Sequence, residues 1–142
     1  MEKEFEVSYV QQNDVVKIQA NSGVLREIVI DSRNVPPENR GGNASTLLVA
    51  SALTCFCGTL REALEARNIP FRRIKATGKG VKKDNSVGAV RLTNLDIDVI
   101  VDIDDQYAEA LEHCIHIVKG CMITNSLMEG INVTHNIQRQ QS

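Results

Sequence analysis

Residues 41–67 read GGNASTLLVASALTCFCGTLREALEAR. From Gly41 to Leu60 the run carries no charge. Leu47, Leu48, Val49, Ala50, Ala52, Leu53, Phe56 and Leu60 fall on nearly all sides of a helix. The spacing predicts one from about Ala44 to Arg67. Asn43 or Ser45 can cap its start, Asn68 can take the left-handed conformation at its end, and Pro70 stops it. A helix apolar nearly all round is buried on several sides. With few other helices in the chain, a second subunit is the expected source of that cover, so a dimer is expected. Asn43, Ser45, Thr46, Ser51 and Thr54 interrupt the run. It is therefore too polar for a membrane span, which needs about 20 mostly apolar residues.

The rest of the chain fits one domain over residues 1–142. Its 142 residues, 42% of them hydrophobic, can close a core without disulfides or metal. A formal charge of −2 gives no reason to expect a polyanion. Two tyrosines, three phenylalanines and no tryptophan argue against a base-stacking platform. Composition also excludes intrinsic disorder. The N-terminal MEKEFE is charged and alternating, unlike a signal peptide. A cytoplasmic, reducing setting is expected, where four cysteines are thiols rather than structural disulfides.

Before the helix, residues 1–31 read as a three-stranded meander. Phe5, Val7 and Tyr9 alternate with polar residues, as do Val16, Ile18 and Ala20; Val24–Ile30 is the third strand. Residues 31–43 form a polar loop with Pro36-Pro37 and Gly41-Gly42, long enough to suggest function. After the helix, 71–83 and 89–103 read as a hairpin within 71–103. Its first strand is basic (Arg72, Arg73, Lys75, Lys79, Lys82, Lys83). Its second alternates Leu95, Ile97, Val99, Val101 and Ile103 with acidic Asp96, Asp98 and Asp102. Cross-strand pairing accounts for the basic run better than nucleic acid does. Residues 105–137 then read as a helix from Asp105 to Lys119 with Ala108, Leu111, Ile115 and Val118 inward, a short helix Met122–Glu129 ended by Gly130, and a last strand Ile131–Ile137. The tail from Gln138 to Ser142 is expected to fray.

The four cysteines sort by position. Cys55 shares a small, partly polar side of the central helix with Ala44, Leu48, Ser51, Gly58, Thr59 and Glu62, leaving room for a close approach or a narrow cleft; a small buried packing residue is the other reading. Cys57, on the stripe of Leu53, Leu60 and Leu64, reads as core, as does Cys114 beside Leu111 and Val118. Cys121 follows Gly120 and opens a helix, where free N–H groups favour a thiolate. His113, Cys114, His116 and Cys121 are close in sequence but lack metal-ligand spacing. His135 falls on the apolar face of the last strand, with Ile131, Val133 and Ile137. No P-loop, dinucleotide fingerprint, G-x-S-x-G elbow or zincin motif occurs.

Gly41 to Cys55 resembles the central-helix motif of the OsmC/Ohr superfamily: a glycine-rich loop, then a Leu/Ala-rich helix reaching a small residue and a cysteine. Cys121-Met122-Ile123-Thr124-Asn125-Ser126-Leu127 resembles the second motif, Cys-Pro-[aliphatic or aromatic]-Ser-x-[Thr/Ser/Ala]-Leu. The order of elements matches over nearly the whole chain. The resemblance implies an α+β fold with antiparallel sheets wrapped around a long buried central helix. It implies an intertwined homodimer with sites at the subunit interface. It further implies reduction of organic hydroperoxides by a thiol peroxidase in oxidative or osmotic stress defence, with an external dithiol as reductant and no cofactor, metal, nucleic acid or membrane. Carried over by residue, Cys55 is the peroxidatic thiol and Cys121 the resolving one.

The chain departs from the family pattern. Ser45 and Thr46 stand where the well-characterised peroxidases hold a glutamate that orients an arginine, and Met122 replaces the motif proline. Arg40, in the loop before the helix, and Arg26, on a strand face with Val24, Ile28 and Ile30, are the candidates to stabilise the thiolate. The divergent OsmC-like branch is therefore expected. The other readings are a non-catalytic dimer holding a small apolar or thiol-reactive ligand, and a metal site on Cys114, His116 and Cys121.

Overall fold

In the computed structural model, residues 2–118, 121–131 and 133–140 are described. They fall into two units, Met1–Ala44 and Ser45–Ser142.

In the first unit, Asn13 adopts φ 55°, a left-handed conformation that asparagine tolerates, and so reverses the chain between two strands. Strand β1 (Ser8–Gln12) pairs antiparallel with β2 (Val15–Gln19), and β2 with β3 (Ile28–Asp31). Val15, Val16, Ile18, Ile28 and Ile30 are half-buried, whereas β1 is exposed throughout. The third strand is shorter than the sequence predicts. The Ser22 hydroxyl accepts the N–H groups of Val24 (3.2 Å) and Leu25 (3.1 Å), drawing that segment into a bend instead of the ladder. The polar loop closes through a 3₁₀ turn at Pro37–Asn39.

The second unit is built on helix α1 (Asn43–Ala66). It ends as its sequence requires. Asn68 takes φ 54°, its N–H donates to the Glu65 carbonyl (3.1 Å), and the Ile69 N–H donates to that of Leu64 (3.0 Å). By length and by a mean hydropathy of 1.4 over an 18-residue window, residues 37–66 could pass for a membrane span. Within this chain, however, only Ala52, Leu60, Ala63 and Leu64 of α1 are fully buried. Cys57 is half-buried and outside the buried cluster, against the expectation that it is core.

Strands β4 (Arg73–Asp84) and β5 (Val90–Asp102) form the long antiparallel hairpin. Asn85 organises its turn: its side-chain oxygen accepts the N–H groups of Val87 (3.0 Å) and Ala89 (2.9 Å), and Gly88 supplies φ 80°. The register sets Arg73 opposite Asp102 and Lys79 opposite Asp96, so the basic strand lies along the acidic one. Arg72 also binds Asp102 (2.7 Å) and Asp104 (2.8 Å). These exposed pairs contribute only tenths of a kcal/mol to about 1 kcal/mol each; the charge is spent on register. The other face, Leu95, Ile97, Val99 and Val101, turns inward. A Cβ on Gly78 would lie 2.5 Å from Val49 Cγ1, so the glycine allows α1 to lie against β4.

A 3₁₀ turn at Asp105–Tyr107 leads into α2 (Ala108–Val118), and α3 spans Met122–Glu129. Helix α3 stops at Gly130, φ 83°. The inward stripe of α2 is Ala110, Leu111, Cys114 and Val118; Ala108 and Ile115 are exposed, one helical step from the expected face. Leu60, Ala63, Leu64, Ile69, Cys114 and Val118 make one buried cluster, with Phe56, Phe71, Val99 and Val101 packed on it. Ile131 and residues 133–137 are not in a strand, and His135 is exposed rather than on an apolar strand face. Among the described residues the strands pair as β1-β2-β3 in one sheet and β4 with β5 in the other. Lys119 and Gly120, expected to close the second helix, and part of the tail (Gln141, Ser142) lie outside the described residues, as does Asn132 of the expected last strand.

Candidate active site

Cys55 sits in the middle of α1, half-buried, held in place by the core cluster that begins one turn later at Leu60. Cys121 is the residue before α3, with φ −60° and ψ 127°; its carbonyl accepts the first helical hydrogen bond, from Asn125 N–H at 3.0 Å. Its own N–H donates to the Val118 carbonyl (3.0 Å), which ties it to the buried end of α2. Cys121 is 1% exposed.

These elements bring the two sulfurs to 2.7 Å. That is longer than a disulfide, about 2.05 Å, and shorter than an ordinary hydrogen bond between two sulfurs. Cys55 Sγ also lies 3.4 Å from the N–H of Ile123, which donates to it. The sequence leads one to expect that a mid-helix thiol gains nothing from a helix start. The fold corrects this: Cys55 receives a donor from the start of α3, a contact across 68 positions that no local pattern could reveal.

The electrostatics of the pair are unequal. Burial pushes the Cys55 thiol up and the neighbouring Cys121 sulfur adds to this; the N–H groups of Ile123 and Met122 oppose it without reversing it. Burial acts on Cys121 in the same sense. There it is outweighed by the Cys55 thiol, by the N–H and hydroxyl of Thr124 and by the N–H of Ile123, so the Cys121 thiol lies below its ordinary value. Either sulfur can carry the proton between them. The hydrogen bond between them runs from the Cys121 thiol to Cys55 Sγ, the sulfur that also accepts the Ile123 N–H.

Thr124 is also one wall of a cleft of about 370 Å³. Leu48, Leu92, Leu95, Ile97, Leu127 and Met128 supply its apolar lining. Leu48 was already on the Cys55 side of the predicted helix. The β5 residues escaped notice because their alternation reads equally well as core.

The two candidate arginines both belong to the first unit. Arg40 Nε donates to the Val35 carbonyl (2.6 Å), and its Nη1 lies 3.4 Å from Asp14 Oδ1. Arg26 is exposed in the segment before β3 and does not share a strand face with Ile28 and Ile30. Lys82 Nζ donates to Ser45 Oγ at 3.3 Å. Cys114 is fully buried, and His113 and His116 are exposed on α2. Among the described residues, no group of three or more His, Cys, Asp or Glu side chains is arranged to hold a metal ion.

No curated protein matches the chain. Among solved structures, it resembles a hypothetical protein from Aquifex aeolicus (15% identity, 92% of each chain covered, TM-score 0.67). It also resembles an OsmC-like protein of unknown function from Vibrio cholerae (16% identity, 88% of this chain and 94% of that one, TM-score 0.65). An organic hydroperoxide resistance protein OsmC from Legionella pneumophila is similar at 16% identity (88% and 89% covered, TM-score 0.59). These likenesses establish the α+β architecture, with its antiparallel sheets and, among the described residues, three α-helices, as an OsmC-like fold. The family model for OsmC-like proteins matches residues 37–136, which include both cysteines of the site, and the chain belongs to the OsmC-like family.

Proposed function

We propose that the chain is a thiol peroxidase that reduces small organic hydroperoxides through Cys55 and Cys121. The observation that carries this is the 2.7 Å separation of the sulfurs of a half-buried and a buried cysteine. On this reading peroxide attacks at Cys55, and Cys121 condenses with the sulfenic acid formed there. The apolar cleft beside Thr124 suits an organic rather than an inorganic peroxide. A reducing, cytoplasmic setting and an external dithiol would return the pair to thiols. Treatment with cumene hydroperoxide is expected to yield one intramolecular Cys55–Cys121 disulfide, read by mass spectrometry of the peptides. Unchanged thiols, or oxidation confined to Cys57, would count against the reading.

An intertwined homodimer is part of the same proposal. It would bury the half-exposed face of α1 and large apolar side chains such as Ile100, Met122 and Met128, which are 66–82% exposed in the single chain. Exposure on this scale marks an interaction surface. Light scattering is expected to give twice the 15.7 kDa chain mass; a monomer would refute this part.

A second reading rests on the raised Cys55 thiol, which is a poor nucleophile when protonated. On that reading the same fold is a non-catalytic module, and the cleft holds a small apolar or thiol-reactive ligand. A slow peroxide reaction together with a co-purifying ligand would favour it.

A further inference from the structure

We propose that the groove between the first half of α1 and the hairpin binds a straight-chain monocarboxylate, with Lys82 holding its head. Neither cysteine of the thiol pair lines this groove, and the proposal does not depend on the peroxidase reading.

The charge pattern of the hairpin calls for an anion. Towards the open end the strands match, with Arg73 opposite Asp102 and Lys79 opposite Asp96. Towards the turn the matching stops, and an irregularity of register between Val81 and Lys82 marks the place. Lys82 stands opposite Leu92, and Lys83 stands opposite Arg91. Like charges directly opposed across two strands are destabilising. Among the described residues Lys82 makes no ion pair. Its Nζ donates to Ser45 Oγ at 3.3 Å, and an ammonium has three N–H donors to give. Asp84 falls on the same strand face two residues on, so a head with a single negative charge suits the place better than a dianion.

The shape selects the rest of the ligand. The groove has a volume of about 360 Å³. Val49, Ala50 and Leu53 line it from α1, Leu92 from β5, and Gly78 and Gly80 from β4. A Cβ on Gly80 would lie 3.1 Å from Leu92 Cδ1 and 3.5 Å from Val49 Cγ2, so a larger residue would take up space there. Ser45 and Lys82 are at one end. Leu53 lies eight residues further along α1, about 12 Å at 1.5 Å per residue, which is the span of an extended chain of about eight to ten carbons. Methylenes leave water against the apolar lining, while the carboxylate keeps a charged partner.

The full chain is titrated with hexanoate, octanoate and decanoate by calorimetry. One site per chain is expected, with affinity rising about two- to fourfold for each added methylene. Octanamide, the uncharged match of octanoate, should bind on the order of tenfold more weakly. Lys82→Glu should lose about tenfold or more in affinity for octanoate and leave that for octanamide unchanged, a difference that a merely structural lysine would not produce. Lys82→Arg should stay within about threefold of the unmodified protein, because the charge is kept. Ala50→Phe, at an exposed position, should fill the groove and block both ligands. Absence of decanoate binding, equal affinity for octanoate and octanamide, or undiminished octanoate binding by Lys82→Glu or Ala50→Phe would overturn the proposal. If decanoate does not bind and these two variants lower the mass found by light scattering, the groove is a contact between copies of the chain, which equally rejects a carboxylate site.

Discussion

Cys55→Ser is expected to abolish hydroperoxide consumption, by about three orders of magnitude or more, as removal of a nucleophile does in other enzymes. A serine oxygen in the same place would still meet the Ile123 N–H and still lie against Cys121, so the fold and the cleft should persist. It would lack the polarisable, ionisable sulfur that attacks an O–O bond at neutral pH. Cys121 cannot substitute, since it is sealed from solvent. Cys57→Ser is the matched control. It lies two residues along α1 and faces another way, half-buried, with its thiol raised by burial. Its replacement should leave the rate unchanged. A coupled assay with dithiothreitol as the dithiol, under saturating peroxide, reads both variants. A Cys55→Ser protein that keeps the parental rate would remove Cys55 as the nucleophile, whatever the fate of the fold.

How far the site could be read in the sequence depended on how local its causes are. The end of α1 at Asn68 and Pro70 is a local matter, and the left-handed Asn68 is where the residue type places it. The hairpin faces followed from alternation, and the position of Cys121 at a helix start from the sequence around it. The Ile123 N–H on Cys55 was out of reach, because it depends on α3 docking against α1 across 68 positions. Arg26 was misplaced for a different reason: alternation at Val24, Arg26 and Ile28 mimics a strand, but the Ser22 hydroxyl competes for the N–H groups that a ladder would need. The expected strand Ile131–Ile137 alternates just as well, and alternation alone supplies no neighbour to pair with.

Leu64→Ala carries the largest expected cost in stability, about 2–5 kcal/mol. Leu64 is completely buried in the cluster where α1 meets α2, beside Cys114 at 0% and Val118 at 1% exposure. Truncation loses the transfer free energy of the removed carbons and leaves a cavity that Ile69, Phe71 and Val99 can fill only in part. Its neighbour sets the scale by contrast. Glu65→Ala breaks a 2.8 Å ion pair to Arg61, one helical turn away, with both side chains more than half exposed. Such a pair contributes about 0.3–0.5 kcal/mol. Urea unfolding at fixed protein concentration should therefore show a large fall in midpoint for Leu64→Ala and almost none for Glu65→Ala. A loss below about 1 kcal/mol for Leu64→Ala would mean that the cluster is not the core that holds this unit. The effect should also reach the chemistry. Val118 belongs to that cluster, and its carbonyl receives the Cys121 N–H at 3.0 Å, while α1 carries Cys55. Loosening the contact of α1 with α2 at Leu64 should let the two sulfurs drift from 2.7 Å. Disulfide formation after peroxide should then slow at temperatures where the variant is still folded, a result that ties the packing of the core to the spacing of the thiols.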